Sequence, residues 1–208
     1  MYPAFKGLTH FANPALERAL ANSPVVLTAD PKECSFQFNL TGTSRFITSC
    51  DIAKARLAAL SVSYTSQTAP AGTPASIRIG DKVVALADLP ASIQAAGYPA
   101  KADPNHVNKP MVVLIIFGLV LCLTMAYGPV AAVLVELFPT RIRYTSMSLP
   151  YHVGTGWFGG LTPTLAFAMV AATGDIYSGL WFPIAITVAT VVIGVLLVPE
   201  TKDFDINR

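Results

Sequence analysis

From Met111 to Val135 the chain reads MVVLIIFGLVLCLTMAYGPVAAVLV, without one charged side chain. A lipid interior about 30 Å thick calls for roughly 20 mainly apolar residues in helical form, because hydrocarbon offers no partner to exposed backbone N–H and C=O groups. The run exceeds that need and stops at Glu136 and Pro139, which predicts a bilayer-spanning helix over residues 110–138. A second uncharged run, Ile176 to Pro199, opens with Tyr177 and Trp181 and closes on Pro-Glu-Thr-Lys. Aromatic rings at the entry fit a membrane interface, and a span over 174–200 is predicted. Between Tyr144 and Gly174 the ionisable side chains are Tyr144, Tyr151 and His152, and Gly156 to Ala172 is apolar or small, so a third span is predicted over 148–173. Core helices of a soluble protein are the rival reading, but these average about 11 residues and keep a polar face.

The 208 residues are 53% hydrophobic and 12% charged, and the two kinds are unevenly spread. Charges recur every few residues from Met1 to Lys109 and then vanish from long stretches. A formal charge of +2 is too mild for a polyanion partner, and no Lys/Arg cluster interleaved with aromatics occurs, so nucleic acid is not an expected partner. Met1 to Asn13 has no basic segment followed by an apolar core, so it does not read as a cleaved signal peptide. Basic residues of short loops stay on the cytoplasmic side. Arg141 and Arg143 place the loop 139–147 there, Lys202 and Arg208 place the tail 201–208 there, and residues 14–109 then lie outside.

This outer segment reads as a small α+β module. Asn13 caps a helix that starts at Pro14 and runs to about Asn22. Val25 to Thr28 and the alternating Phe36, Phe38 and Leu40 read as strands, Asp51 to Leu60 as a helix, and Ile77 to Val84 as a hairpin turning at Gly80-Asp81. Tyr98 to Pro110 reads as the linker to the membrane. Cys34 and Cys50 fall on the oxidising side, where a disulfide is the economical reading; two buried thiols or a metal site are the others. Metal fits poorly, because two cysteines without a CxxC or His pair leave the coordination shell half empty. Cys122 sits in the first span and reads as packing. Asn39-Leu40-Thr41 matches a glycosylation acceptor, which has meaning only in a host that glycosylates.

Tyr127-Gly128-Pro129 is followed by Glu136-Leu137-Phe138-Pro139-Thr140-Arg141-Ile142-Arg143-Tyr144, and the chain closes on Pro199-Glu200-Thr201-Lys202. This pattern resembles the last three helices of a major facilitator superfamily transporter, in the metabolite:proton symporter branch of the proline/betaine and shikimate carriers. Ser146 to Gly160 fits the eleventh helix of that branch, the span over 174–200 the twelfth, and the outer module an insertion between the ninth and tenth, with residues 1–13 as the stub of the ninth. The resemblance implies a multi-pass plasma (inner) membrane protein of twelve helices in two halves, with the substrate site between them. It implies proton-coupled uptake of a small polar or anionic metabolite by alternating access. The implied partners are the lipid bilayer, that metabolite, the proton and the remaining nine helices of a full-length carrier; no cofactor is implied. Only three spans are present and no signal would carry the first 100 or so residues outward, so a C-terminal fragment of a longer carrier is expected. The fold class is therefore membrane α-helical, three C-terminal helices of a major facilitator bundle with a small α+β extracytoplasmic domain. The alternative function is a membrane-anchored outer module that binds a ligand or partner without transport.

Several residues are candidates for chemistry. Thr124, Tyr127, His152 and Trp157 are candidates for a polar substrate path, although a helix facing its neighbours uses the same residue types. His152 is the imidazole of the apolar half, where ionisable groups mark proton or substrate paths, yet its nearness to the basic loop also suits an interfacial place. Glu136 and Arg143, with Arg141, bracket the cytoplasmic turn, where the resemblance implies an acid and a base tying helices in one state of the cycle; a purely topological role is the other reading. Gly128 and Pro129 predict a kink, either hinge or shape. Gly156 and Gly160 form one GxxxG, which allows close helix contact. No acid pair, Ser/His/Asp set, metal cluster or phosphate-binding loop is found, so neither catalytic residues nor a metal are expected and the chain does not read as an enzyme.

Overall fold

Val25, Leu27 and Ala29 alternate with less buried Val26 and Thr28, the period-2 pattern of a strand with one face on a core. They form β1 (Val25–Ala29), the second strand of a four-stranded sheet in the order β2-β1-β3-β4. The computed structural model describes residues 2–39, 41 and 43–198; Met1, Leu40, Gly42 and everything from Pro199, including the Pro-Glu-Thr-Lys motif, Lys202 and Arg208, lie outside the described residues. β2 (Tyr64–Thr68) runs parallel to β1, while β3 (Ser76–Ile79) is antiparallel to it and pairs with β4 (Lys82–Val84). A parallel pair needs a crossover. It is supplied by α3 (Ser49–Ala59), whose first turn is capped by Thr48 Oγ1 accepting from Asp51 N at 3.1 Å.

α2 (Pro14–Asn22) and α4 (Leu89–Ala95) complete this module, and Leu27, Leu57, Ile77 and Leu89 are its largest fully buried side chains. Each buried aliphatic side chain of that size stabilises by about 1.5–3 kcal/mol. The expected helix at Pro14, strand at Val25 and hairpin at Gly80-Asp81 are all present, with Gly80 at φ +56, although the Asn13 side chain makes no capping hydrogen bond. Cys34 and Cys50 form a disulfide with Cα atoms 5.2 Å apart, closing a loop for which chain entropy gives about 3 kcal/mol of stabilisation.

Three expectations need correction. Phe36 and Phe38 do not lie in a strand, and Leu40 is outside the described residues. Both edges of β1 are already taken by β2 and β3, so the segment instead ties to α3: Ser35 N and Oγ donate to the Asp51 carboxylate at 2.8 and 2.6 Å, and Gln37 Nε2 donates to Asp51 O. β2 escaped the sequence reading because Thr-Ser-Gln-Thr carries no apolar alternation; only its first residue, Tyr64, is buried. Tyr98 opens no free linker, since it is buried in the core and its hydroxyl donates to Ser23 O at 2.7 Å.

The remaining helices are α1 (Tyr2–Ala12), α5 (Lys109–Leu137), α6 (Arg143–Val153), α7 (Gly160–Thr173) and α8 (Trp181–Leu197). α5 and the stretch Ser178–Leu197 are long and apolar enough to cross a membrane, and 0% of the most apolar window of each is buried within the chain. A soluble core helix of that length would be covered. α6 and α7 are joined by a π-helical turn, Gly154–Gly159, so residues 143–173 do not form one regular helix. Three glycines in that turn and Pro150 and Pro163 on either side, each lacking an N–H donor, lower the cost of breaking the regular ladder there. α6 starts at Arg143, inside the segment 139–147 expected as loop.

The module sits on the helices along α7, which packs against α3 and ends in a hydrogen-bonded joint. Gly174 caps α7 in the left-handed region (φ +79), and its carbonyl accepts from Tyr64 N at 2.8 Å. The Tyr64 hydroxyl donates to Ala171 O, and burial pushes its pKa well above the usual phenol range, so it stays a donor. α1 lies against α5, with Asn108 N donating to Phe11 O at 2.9 Å, and the Tyr2 ring reaches Tyr177 and Trp181 at 5.8 and 6.4 Å.

Two stability predictions result. A Cβ on Gly174 would lie 2.1 Å from Tyr64 O, whereas one on Gly72, also left-handed at φ +80, meets nothing. Gly72→Ala is expected to cost about 1 kcal/mol of backbone strain and Gly174→Ala at least about twice that; denaturant unfolding in detergent micelles measures both. Asp30 is buried, and its carboxylate accepts from Lys32 N at 3.0 Å and Gly72 N at 2.9 Å, which hold its pKa below the usual carboxylate range. Its contribution is present above the unfolded value of about 3.9 and is lost as pH falls through the lower folded value. Wild-type module stability should therefore drop more steeply than that of Asp30→Asn in an acid titration followed by circular dichroism.

Candidate functional site

Tyr127, Val130, Ala131 and Leu134 recur at helical spacing on one face of α5, and Tyr144, Met147, Ser148, Tyr151 and His152 do the same on α6. The turn between the helices brings the faces together: Ile142 N donates to Pro139 O at 3.2 Å, and Arg143 Nε donates to Phe138 O at 3.1 Å. Between the two faces lies a cavity of about 520 Å³. That is within the usual range for small-molecule sites, about 300–1,000 Å³. Its walls are mainly apolar, with phenol hydroxyls, the Ser148 hydroxyl and the His152 imidazole as polar groups. No Asp, Glu, Lys or Arg is among its lining residues. The Tyr151 and His152 rings meet edge to face at 5.9 Å.

Of the four sequence candidates for a polar path, the cavity brings together Tyr127 and His152. Thr124 and Trp157 do not line it: Thr124 Oγ1 donates to Leu121 O at 2.9 Å, and Trp157 stands 69% exposed in the π-helical turn. Tyr144, Ser148 and Tyr151 were not singled out from sequence, although their spacing with His152 was readable. Arg141 is exposed in the turn, while Glu136 and Arg143 are both engaged. Pro129 lies within α5, and a side chain on Gly128, Gly156 or Gly160 would meet nothing. The close small-residue approach is elsewhere, at Gly179, where a Cβ would fall 2.9 Å from that of Ala166.

Residues 79–207 match the family described as sugar (and other) transporter. The chain belongs to this family, a branch of the major facilitator superfamily, and is a membrane α-helical protein of a transporter class rather than an enzyme class. Among curated proteins it is 29% identical over 117 residues to a citrate-proton symporter of Klebsiella pneumoniae, covering 56% of this chain and 26% of that one. It is 40% identical over 58 residues to a citrate-proton symporter of Salmonella typhi, covering 28% and 13%. It is 30% identical over 93 residues to a putative proline/betaine transporter of Staphylococcus haemolyticus, covering 44% and 20%. The chain thus spans about a quarter or less of the length of these relatives. No solved structure matches it.

Proposed function

We propose that the chain forms the last three spans of a secondary-active carrier that takes up a small polar or anionic metabolite with protons by alternating access. The observation that carries this reading is the likeness to relatives named as proton symporters, together with a family match over residues 79–207, a stretch that contains both long apolar helices. In this reading residues 1–13 end a preceding span, 14–109 form an extracytoplasmic insertion, and 110–138, 148–173 and 174–200 are the spans. The loop 139–147 and the tail 201–208 are cytoplasmic, as the basic residues require. The irregular backbone at Gly154–Gly159 fits a span beside a cavity, since broken helical structure is tolerated at membrane depth where protein or a water-filled cavity covers it. Nine further helices complete the bundle and cover the apolar faces that this chain leaves open.

Within the spans the α5–α6 cavity is the substrate-facing element. Tyr127 and His152 hydrogen-bond the metabolite, and His152 exchanges the coupled proton. Glu136, Arg141 and Arg143 hold the cytoplasmic ends of the helices in one state of the cycle. Thr124 and Trp157 face other helices of the carrier, Gly128 and Pro129 shape α5, and Gly156 and Gly160 admit a neighbouring helix.

The gene is expressed with the DNA upstream of Met1 translated in the same frame, and the product is reconstituted in vesicles. Uptake of labelled citrate and of labelled betaine is followed with and without an inward proton gradient. Gradient-driven accumulation of one of them is expected. Ala131→Trp, which fills the cavity, should lower uptake by about tenfold or more. His152→Ala should abolish accumulation against a gradient while leaving exchange of internal for external substrate. Undiminished accumulation by His152→Ala would remove the imidazole from proton coupling, and no uptake of any metabolite with the gradient imposed would leave the outer module as the functional part.

A further inference from the structure

Lys54 lies on the face of α3 that carries Cys50, Ala53 and Leu57, turned toward the sheet, and is only 8% exposed. The stem is covered, while the ammonium nitrogen is not among the fully buried unpartnered polar atoms of the described residues and so reaches solvent. Lys54 makes no hydrogen bond or ion pair with any described residue. Asp51, one turn back, is the nearest acid to act on it, but that carboxylate is held by Ser35 N and Ser35 Oγ. Burial pulls the ammonium below the usual lysine range, and the Asp51 charge partly restores it.

Lys54 instead lines a pocket of about 320 Å³ between α3 and the β1–β2 edge of the sheet. The register sets Ser66 beside Leu27 and Thr68 beside Ala29. Since paired residues share a sheet face, both hydroxyls fall on the side of β2 that looks toward α3. Tyr64 N points away from β1, toward Gly174 O, so by the alternation of the strand the amides of Ser66 and Thr68 lie along that same outer edge. The floor, made by Leu27, Ala29 and Pro31, is apolar. A cation without a partner, hydroxyl donors on the opposite wall and an apolar floor together describe a receptor for an amphipathic anion. Bare phosphate, strongly hydrated on every side, would gain nothing from the floor.

We propose that this pocket of the outer module is a binding site for a small organic carboxylate, with Lys54 as its counter-cation and Ser66 and Thr68 as hydroxyl donors. The site is some distance in sequence from the α5–α6 cavity, uses none of its residues and does not rest on the transport reading. A carboxylate of a few carbons fits the volume, its charged end on Lys54 and its chain on the floor.

The test is isothermal titration of the full chain, disulfide intact, in detergent micelles, with succinate and propionate as probes, inorganic phosphate as a comparison anion and chloride to hold ionic strength constant. Saturable binding of at least one carboxylate is expected, tighter than that of phosphate. Lys54→Met keeps the stem and removes the charge, and should weaken binding by about tenfold or more. The double variant Ser66→Ala with Thr68→Ala alters exposed positions, so it keeps the fold if Lys54→Met does not, and should weaken binding about three- to tenfold. No saturable binding of either carboxylate overturns the proposal. So does tighter binding of phosphate, unchanged binding by a folded Lys54→Met protein, or unchanged binding by the double variant.

Discussion

Hydrocarbon accepts no hydrogen bond, so α5 over Lys109–Leu137 has to satisfy its N–H and C=O groups along its own axis. The rest of the chain is arranged around that requirement. Between Lys109 and Glu136 α5 carries no charge, and its most apolar stretch has no buried residue within the chain, which is favourable only where lipid or other helices surround it. Pro129 and, further on, Pro150 and Pro163 each remove one donor, and the last two flank the stretch where the helix gives way to a π-helical turn. Irregular backbone is thus confined to a glycine-rich segment beside the α5–α6 cavity.

The outer module follows the opposite rule, because water competes for its polar groups and its stability comes from a small apolar core. That core is built from one buried residue in two along β1 and from Leu57, Ile77 and Leu89, with the Cys34–Cys50 disulfide fastening the irregular segment to α3. The two halves meet along α7, where α3 packs against it and where each half has a backbone group to spare. The free edge of β2 offers Tyr64 N, and the end of α7 offers the carbonyls of Ala171 and Gly174. Gly174 is required there twice over, for its left-handed backbone and for the close approach of Tyr64. The α7–α8 turn is therefore held by the module as well as by its own capping bonds.

The spans with the longest uncharged runs, the helix at Pro14, strand β1 and the Gly80 hairpin were legible because each has a local signal: length without charge, a cap with proline, alternation, or a turn dipeptide. β2 was not, because its polar residues pair with β1 only after α3 has crossed over. The Phe36–Leu40 alternation misled for the complementary reason, as a strand needs an open edge and β1 had none. In the cavity, Tyr127 and His152 stood out as polar groups in apolar runs, whereas Tyr144, Ser148 and Tyr151 gained meaning only from the angle at which α6 folds back on α5.

Charge-free length is a property of consecutive residues, so the sequence by itself determined that this is a membrane protein, and its motifs around Glu136-Leu137-Phe138-Pro139 determined the transporter family. Contacts between residues far apart are not such a property. Only the tertiary structure decided that Tyr64 closes on Ala171 and Gly174, that Tyr127 and His152 share one cavity while Thr124 and Trp157 do not, and that Lys54 lines a pocket against the sheet. Each of these depends on which faces two distant segments present to each other, and a one-residue shift in a strand or a quarter turn of a helix would change it without altering any local signal.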